Sequence, residues 1–281
     1  MWSNLHTHSN YCDGKSSLAE VLASAHAKNL ISLGFSSHAP LPFNSSWCMK
    51  KESLTSYLQE INLLKKSASK VQLYSGLEVD YIPEKISPDD FKGQLDYTIG
   101  SVHFVESFQD GRGWEIDGTH ASFNEGYERI FKKDIQAVIT RYFELTREMI
   151  LKSCPSIIGH LDKIKIQNKY YPYFDESEKW YRDEVVKTIH VIRDSGVIVE
   201  VNTRGIYQKK SLTTYPSPWI LELLHHQKIP IHLSSDAHHA DDLINQFPET
   251  IQLLLSIGFK ETRILLDGKW QNFHLNHQTF N

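Results

Sequence analysis

The sequence predicts an α/β chain closed into a parallel β/α barrel, with a metal centre at the C-terminal ends of its strands. The first observation is alternation. Short apolar runs of strand character and amphipathic helical stretches succeed one another about seven times, the pattern of parallel strands joined by helical crossovers. The second is where the polar groups fall. His6 and His8, His38, Glu78, His103, His160, Arg204, and Asp236 with His238 each stand at the C-terminal end of a different run. A closed barrel gathers those ends around one mouth. An open doubly wound sheet would spread them along a line with only the switch point concave. The third is size and uniformity: 281 residues, 40% apolar and 23% charged, with no internal repeat or obvious linker, predict a single domain over residues 1–281.

Each element has its own signal. His6-Thr7-His8, flanked by Asn4 and Leu5, reads as the first strand, and side chains two apart on a strand share a face. Cys12-Asp13-Gly14 is a turn. Ser17 to Glu20 has the form of a capping box, followed by Leu18, Val21, Leu22 and Ala25 at helical spacing. Strand two, Ile31 to Ser36, ends at Ser37-His38-Ala39, and Pro40 blocks its continuation. A loop over 41–50 carries Trp47, and Leu54, Tyr57, Leu58, Ile61 and Leu64 mark a second helix. Strand three runs from about Val71 to Asp80, and strand four from Tyr97 to Val102, ending at His103. Residues 104–121 read as a long loop, and such loops in compact domains tend to be functional. Phe123 to Lys152 is helical, with a break near Asp134. Strand five is Ile157 to Gly159, ending at His160-Leu161-Asp162. The helix from about Glu176 to Asp194 closes at Gly196. Strand six, Val197 to Val201, leads into Asn202-Thr203-Arg204-Gly205, where Gly205 is expected to let the backbone turn. Pro218 to His226 is a helix, and strand seven, Pro230 to Leu233, ends at Asp236-Ala237-His238. A last helix reaches about Ile257, and Arg263 to Leu266 reads as one more strand.

Composition narrows the function classes. A formal charge of −4 and a pI near 6.4 give no global basic field for nucleic acid. The three cysteines are odd in number, widely spaced and without a C-x-x-C, so a disulfide framework is not expected and a reducing compartment fits. No apolar run is long enough to span a bilayer, and no basic leader precedes an apolar stretch. The expectation is a cytoplasmic protein that binds neither membrane nor nucleic acid.

The unusual feature is histidine, at 15 residues. Six histidines (6, 8, 38, 103, 160, 238) and three carboxylates (Asp13, Glu78, Asp236) form a ligand set of imidazole and carboxylate without thiolate. That set suits Zn, Mn or Fe(II), and nine ligands are too many for one ion. Glu78 or another carboxylate would bridge, and Asp80, on the same strand face, is the alternative to Glu78. The other histidines read as surface or packing residues, and Cys12 as a small buried side chain. Three divalent ions bring about six positive charges, and Asp13, Glu78 and Asp236 with one hydroxide return about four, leaving about +2, which a phosphate monoester dianion would neutralise. Arg204 adds a planar fork suited to phosphate, with a surface arginine paired to a nearby acid as the alternative. Lys163 and Lys165 are further phosphate candidates, or else exposed lysines.

These residues carry a resemblance. His6-Thr7-His8, Asp13, Ser37-His38-Ala39, Gly76-Leu77-Glu78, Ser101-Val102-His103, Gly159-His160-Leu161-Asp162 and Ser235-Asp236-Ala237-His238 resemble, in order and spacing, the polymerase-and-histidinol-phosphatase (PHP) family. The Ser-His-Ala-Pro, Gly-Leu-Glu-Val-Asp and Glu200-Val201-Asn202-Thr203 stretches are most similar to its histidinol-phosphate phosphatase branch. The resemblance implies a distorted, TIM-like (β/α)7 barrel with a trinuclear centre. Carried over, His6, His8, Glu78 and Asp236 would hold one ion. Glu78 would bridge to a second, held also by His103 and His160, and Asp13, His38 and His238 would hold the third. Asp13 stands where many relatives have histidine, a departure that bears on metal preference. The implied activity is hydrolysis of L-histidinol phosphate, with Arg204 and Lys163 binding the phosphate and Asp236 helping to orient the nucleophile. The alternatives are another small phosphate ester as substrate, or a non-catalytic metal-binding module.

Overall fold

The computed structural model describes residues 1–66 and 70–275; His277, one of the histidines read as surface or packing, lies outside them. Seven strands form one all-parallel sheet in chain order: β1 (Trp2–Asn4), β2 (Leu30–Phe35), β3 (Gln72–Asp80), β4 (Tyr97–Ser101), β5 (Ile157–Ile158), β6 (Ile198–Asn202) and β7 (Ile231–Ser234). The sheet closes just past its last strand. Thr7 and Ala237 form a parallel bridge, with the His8 N–H donating to the Ala237 carbonyl at 2.8 Å and the Ala237 N–H to the His6 carbonyl at 3.2 Å. The result is the expected distorted seven-strand β/α barrel. No helix among the described residues is long and apolar enough to cross a membrane.

The helices are α1 (Leu18–Ala27), α2 (Leu54–Lys66), α3 (His120–Arg129), α4 (Ile135–Ser153), α5 (Lys179–Ser195), the short α6 (Arg204–Tyr207) at the barrel mouth, α7 (Pro218–His226) and α8 (Phe247–Ile257), and all but α6 lie outside the barrel. The predicted capping box forms at Ser17 and Glu20. Asp134 caps α4 at the predicted break, and Gly196 ends α5 in the left-handed conformation at φ 73°. Their apolar faces pack on the outward side chains of the strands. Leu33, Leu77 and Val79 meet α1 and α2 in one cluster, and Val199, Val201 and Leu233 meet α5, α7 and α8 in another.

The barrel interior is layered by the two-residue period of its strands. Its floor is apolar: Leu5, Tyr74, Tyr97, Ile99, Ile157 and Ile198, with Leu265. Tyr97 lies across Gly34 and Gly76, where a Cβ would come within 2.2 and 2.4 Å of its ring and hydroxyl. Its hydroxyl donates to the Leu5 carbonyl, directly before His6. Above the floor the residues of β3, β4, β6 and β7 are polar: Glu78, Ser101, Glu200, Asn202 and Ser234, all buried. A packed floor thus sets the height of a polar upper layer.

Three expectations are corrected here. His6 and His8 lie beyond β1, in the extended segment that closes the barrel; buried pairing on both sides, rather than strand membership, keeps them on one face. Residues 104–121 contain an antiparallel hairpin, Phe104–Ser107 with Gly113–Glu115. The strand expected over Arg263 to Leu266 is present as Glu261–Leu266 and pairs with Lys269–His274 in a separate hairpin, which supplies Leu265 to the floor. Gly205 starts no sharp turn. It sits in α6, where a Cβ would come within 2.8 Å of the Tyr215 ring.

Candidate metal centre

All nine candidate ligands meet at the mouth. Glu78, at the end of β3, is the hub: its Oε2 lies 3.1 Å from His6 Nε2, 3.1 Å from His38 Nδ1 and 3.5 Å from His8 Nε2. Its Oε1 lies 2.8 Å from His160 Nε2 and 3.6 Å from His103 Nε2, and accepts from Ser101 Oγ at 2.7 Å. Asp236 Oδ1 is 3.2 Å from His8 Nε2 and 3.8 Å from His6 Nε2. Asp13 Oδ1 is 3.2 Å from His238 Nε2 and 3.8 Å from His38 Nε2. Three groups have their ligand atoms within 4.8 Å of one another: His8, Asp13, His38 and His238; His6, His8 and Asp236; and His38, Glu78 and His103.

The donor set fits metal ions. His8 Nε2, His38 Nδ1 and Asp13 Oδ1 are buried and make no hydrogen bond. Each faces other ligand atoms at 3.1–3.8 Å, and unsatisfied buried polar atoms are costly unless a cation satisfies them. The carboxylates stay ionised and, against burial, draw protons onto neighbouring imidazoles: His8 and His103 are raised to about 9 and His6 is raised as well. Burial opposes ionisation of Glu78, yet His38 and His6 hold it well below the usual glutamate range. Asp236 is likewise held far down against burial, by Arg204 and His6. Burial and the charges of His8 and Arg204 push His238 down to about 3, so its imidazole is neutral, as a ligand must be. Two of the candidate ligands also stand in left-handed backbone. Asp236 has φ 51° and His160 φ 21°, the left-handed region that costs non-glycine residues roughly 1–3 kcal/mol and clusters at functional sites.

Behind the ligands stand groups that hold them in place, of which Glu200 had no role in the sequence reading. Glu200, on β6 and fully buried, accepts from His6 Nδ1 at 2.5 Å, from the His160 N–H at 2.6 Å and from Asn202 Nδ2 at 3.1 Å. Burial would raise its carboxyl, but the charge of His6 and its hydrogen bond hold it below the usual range. It therefore fixes the His6 tautomer, with Nε2 free for a metal, and steadies the strained His160 backbone. Asp80 does the same for His103, meeting Nδ1 at 2.9 Å and the backbone N–H at 3.0 Å; it stands behind the ligands rather than replacing Glu78. Cys12 Sγ contacts His8 Nδ1 at 3.5 Å. The signal for Glu200 was a carboxylate inside an apolar strand, which is buried only when paired. Glu200→Gln should lower metal affinity about 10- to 100-fold, read by titrating metal into chelated protein; unchanged affinity would remove Glu200 from the site.

Lys163 and Lys165 separate. Lys163 Nζ lies 2.9 Å from Asp117 Oδ2, 3.3 Å from His103 Nε2 and 3.5 Å from His160 Nε2, at the ligand cluster. Lys165, expected to be exposed if not functional, is buried and structural, bonded to Asp162 at 2.7 Å and to the Thr214 carbonyl at 2.9 Å. Arg204 is no surface residue. Its Nη1 donates to Asp236 Oδ1 at 2.8 Å and contacts His238 Nε2 at 2.7 Å. Above the cluster opens a cavity of about 240 Å³, lined by Asp13, His38, His103, Asp236 and His238 together with Lys163, Arg204, Trp47, Glu115 and Asp117.

A seven-strand parallel barrel with imidazoles and carboxylates clustered at its mouth defines a metal-binding β/α-barrel protein. The model of the PHP domain matches residues 4–204, and the chain belongs to that family. It is 29% identical over 257 residues to the histidinol-phosphatase of Bacillus subtilis (strain 168), an alignment covering 85% of this chain and 94% of that protein. Two solved structures share the fold. One is hisK from Listeria monocytogenes, with TM-score 0.76, 22% identity and coverage of 89% of this chain and 99% of that one. The other is histidinol phosphate phosphatase from Lactococcus lactis in complex with Zn, L-histidinol and phosphate, with TM-score 0.70, 23% identity and coverage of 96% and 98%.

Proposed function

We propose that this chain, folded as one barrel domain over residues 1–281, is a cytoplasmic, metal-dependent phosphomonoesterase that hydrolyses L-histidinol phosphate to L-histidinol and inorganic phosphate. The observation that carries the reading is one cavity in which a buried imidazole–carboxylate cluster meets three cationic side chains, Arg204, Lys163 and Lys210. Membership of the PHP family and the likeness to the Bacillus subtilis histidinol-phosphatase support the substrate. Three divalent ions, Zn, Mn or Fe, would be held by His6, His8, Glu78 and Asp236; by Glu78, His103 and His160; and by Asp13, His38 and His238. When bound, such ions lower the pKa of a coordinated water and offset charge developing on phosphorus.

The side chains do the rest. The rigid mouth holds the phosphate for in-line attack. Arg204, fixed through Nη1 to Asp236, offers Nη2 to a phosphate oxygen, and Lys163 supplies a second positive charge beside His103 and His160. Asp236, ionised and bonded to Arg204 and Asn202, orients the attacking water. Phosphate release from a panel of monoesters, with Zn or Mn added to chelated protein, tests the assignment. L-histidinol phosphate should give the highest kcat/KM, and release from none of the esters would leave a metal-binding module without catalysis.

Arg204→Lys keeps the charge and loses the fork. It should retain its metals and lower kcat/KM about ten- to a hundredfold, the equivalent of roughly 1.5–3 kcal/mol for one charged hydrogen bond. Inorganic phosphate should inhibit Arg204→Ala more weakly than wild type. Unaltered kinetics with metals in place would assign the phosphate to Lys163 and the ions alone.

A further inference from the structure

The cavity has a second wall that the metal chemistry does not use. Its carboxylates are mostly compensated: Asp117 pairs with Lys163 at 2.9 Å, Asp236 with Arg204 at 2.8 Å, and Asp13 faces His238 at 3.2 Å. Glu115, half-buried at the end of the inserted hairpin, is different. Among the described residues it has no ion-pair partner. One oxygen, Oε1, accepts from Trp47 Nε1 at 2.9 Å. The other lies beside Gly118, where a Cβ would stand only 3.3 Å from Oε2; a side chain at that position would crowd this face.

Its distance from the chemistry is set by Trp47. The indole packs edge-on against the His38 ring at 4.6 Å and near His103 at 5.5 Å, and stacks on Phe104 at 5.8 Å. Glu115 is therefore held about one indole away from the imidazoles of His38 and His103 by a ring clamped on three sides. The hairpin is tied to the same place, since the Ile116 N–H donates to the His103 carbonyl at 2.9 Å. The cavity is thus cationic where a phosphate would sit and anionic at Glu115. A ligand matching it carries its negative charge at one end and a cationic N–H donor at the other.

We propose that Glu115, positioned by Trp47, binds the cationic nitrogen of the substrate's alcohol part and sets the preference for amine-bearing phosphate monoesters over neutral ones. The proposal rests on the phosphatase reading above and names the residue that reads the part of the substrate beyond the phosphate. Burial raises the Glu115 carboxyl, with the Trp47 bond opposing; an arriving cation relieves the cost of keeping it ionised there.

The test compares wild type, Glu115→Gln and Glu115→Asp, all metal-loaded, on L-histidinol phosphate, phosphoethanolamine and p-nitrophenyl phosphate, and measures L-histidinol binding by calorimetry. Glutamine keeps an acceptor for Trp47 and removes the charge. Glu115→Gln should lose about ten- to a hundredfold in kcat/KM on L-histidinol phosphate, mainly through KM. It should stay within about twofold of wild type on p-nitrophenyl phosphate and bind L-histidinol about tenfold more weakly. Glu115→Asp, which retains the charge on a shorter arm, should fall between. Equal losses on all three esters, or no loss on the amine-bearing ones together with unchanged L-histidinol binding, would overturn the proposal. If wild type cleaves p-nitrophenyl phosphate but not L-histidinol phosphate, the substrate assignment fails, and Glu115 is judged on phosphoethanolamine. A selective loss there supports it, and none overturns it.

Discussion

Glu78→Gln is expected to lower kcat/KM by about a hundredfold or more, whereas Asp80→Asn should cost roughly tenfold. Both carboxylates lie on one face of β3, so sequence alone left them exchangeable. Geometry separates them. Both Glu78 oxygens face imidazole nitrogens of five candidate ligands: His6, His8 and His38 on one side, His103 and His160 on the other. In the proposed centre this carboxylate would serve as a ligand to two ions. Glutamine is nearly isosteric but neutral, and it places an amide N–H₂, a donor, where an acceptor is needed. Among the described residues the Asp80 carboxylate hydrogen-bonds to one candidate ligand, His103, through Nδ1 and the backbone N–H, so its amide perturbs one ligand's orientation. The check is kcat/KM together with metal content for both variants. If Asp80→Asn is the worse, the bridging carboxylate has been misassigned.

Removing the metals should have the other large effect. Elemental analysis after gentle purification is expected to find close to three transition-metal ions per chain. Chelation should abolish turnover, and Zn or Mn should restore it. It should also destabilise the fold. Metal-free, the mouth holds Glu78, Asp236 and Glu200 buried among imidazoles, with His8 Nε2 and His38 Nδ1 unbonded and two ligands in left-handed backbone. An ion present at about 100 times its Kd adds about 2.7 kcal/mol to the folded state, so losing three lowers Tm by on the order of 10 °C in a chain of this size. A reproducible one ion per chain, not increased by reconstitution, would contradict the three-ion assignment. An unchanged Tm on chelation would argue that the mouth is preformed without metal.

The corrections show where local sequence signals stop. Residues 104–121 carry Asp110-Gly111-Arg112-Gly113, which reads as loop because turn residues dominate. The hairpin forms because Val105 and Trp114 are buried in the core around α3 and α4, a long-range contact with no local period. Lys165 and Lys163 are two residues apart with the same composition around them. One is enclosed by Asp162, Thr214 and Ser217, the other reaches the cavity, and only the packing of 213–217 against the segment after His160 distinguishes them. Glu200 was visible as a marker in its strand, but its role depends on His6, distant in sequence, arriving within hydrogen-bond reach.

By itself, the sequence determined the order of the seven barrel strands and the main helices between them, the barrel, and the nine imidazole and carboxylate side chains that the barrel mouth brings together. Those are properties of local pattern: periodicity, caps, and polar residues ending apolar runs. Only the tertiary structure decided which carboxylate is the hub, which acids stand behind the ligands, which lysine enters the cavity, and that Trp47 and Glu115 form its second wall. The reason is physical. A secondary-structure period specifies which face a side chain occupies, but partners and buried charges are assigned by distances across the barrel, and these are set by Tyr97 lying over Gly34 and Gly76 and by the Thr7–Ala237 closure.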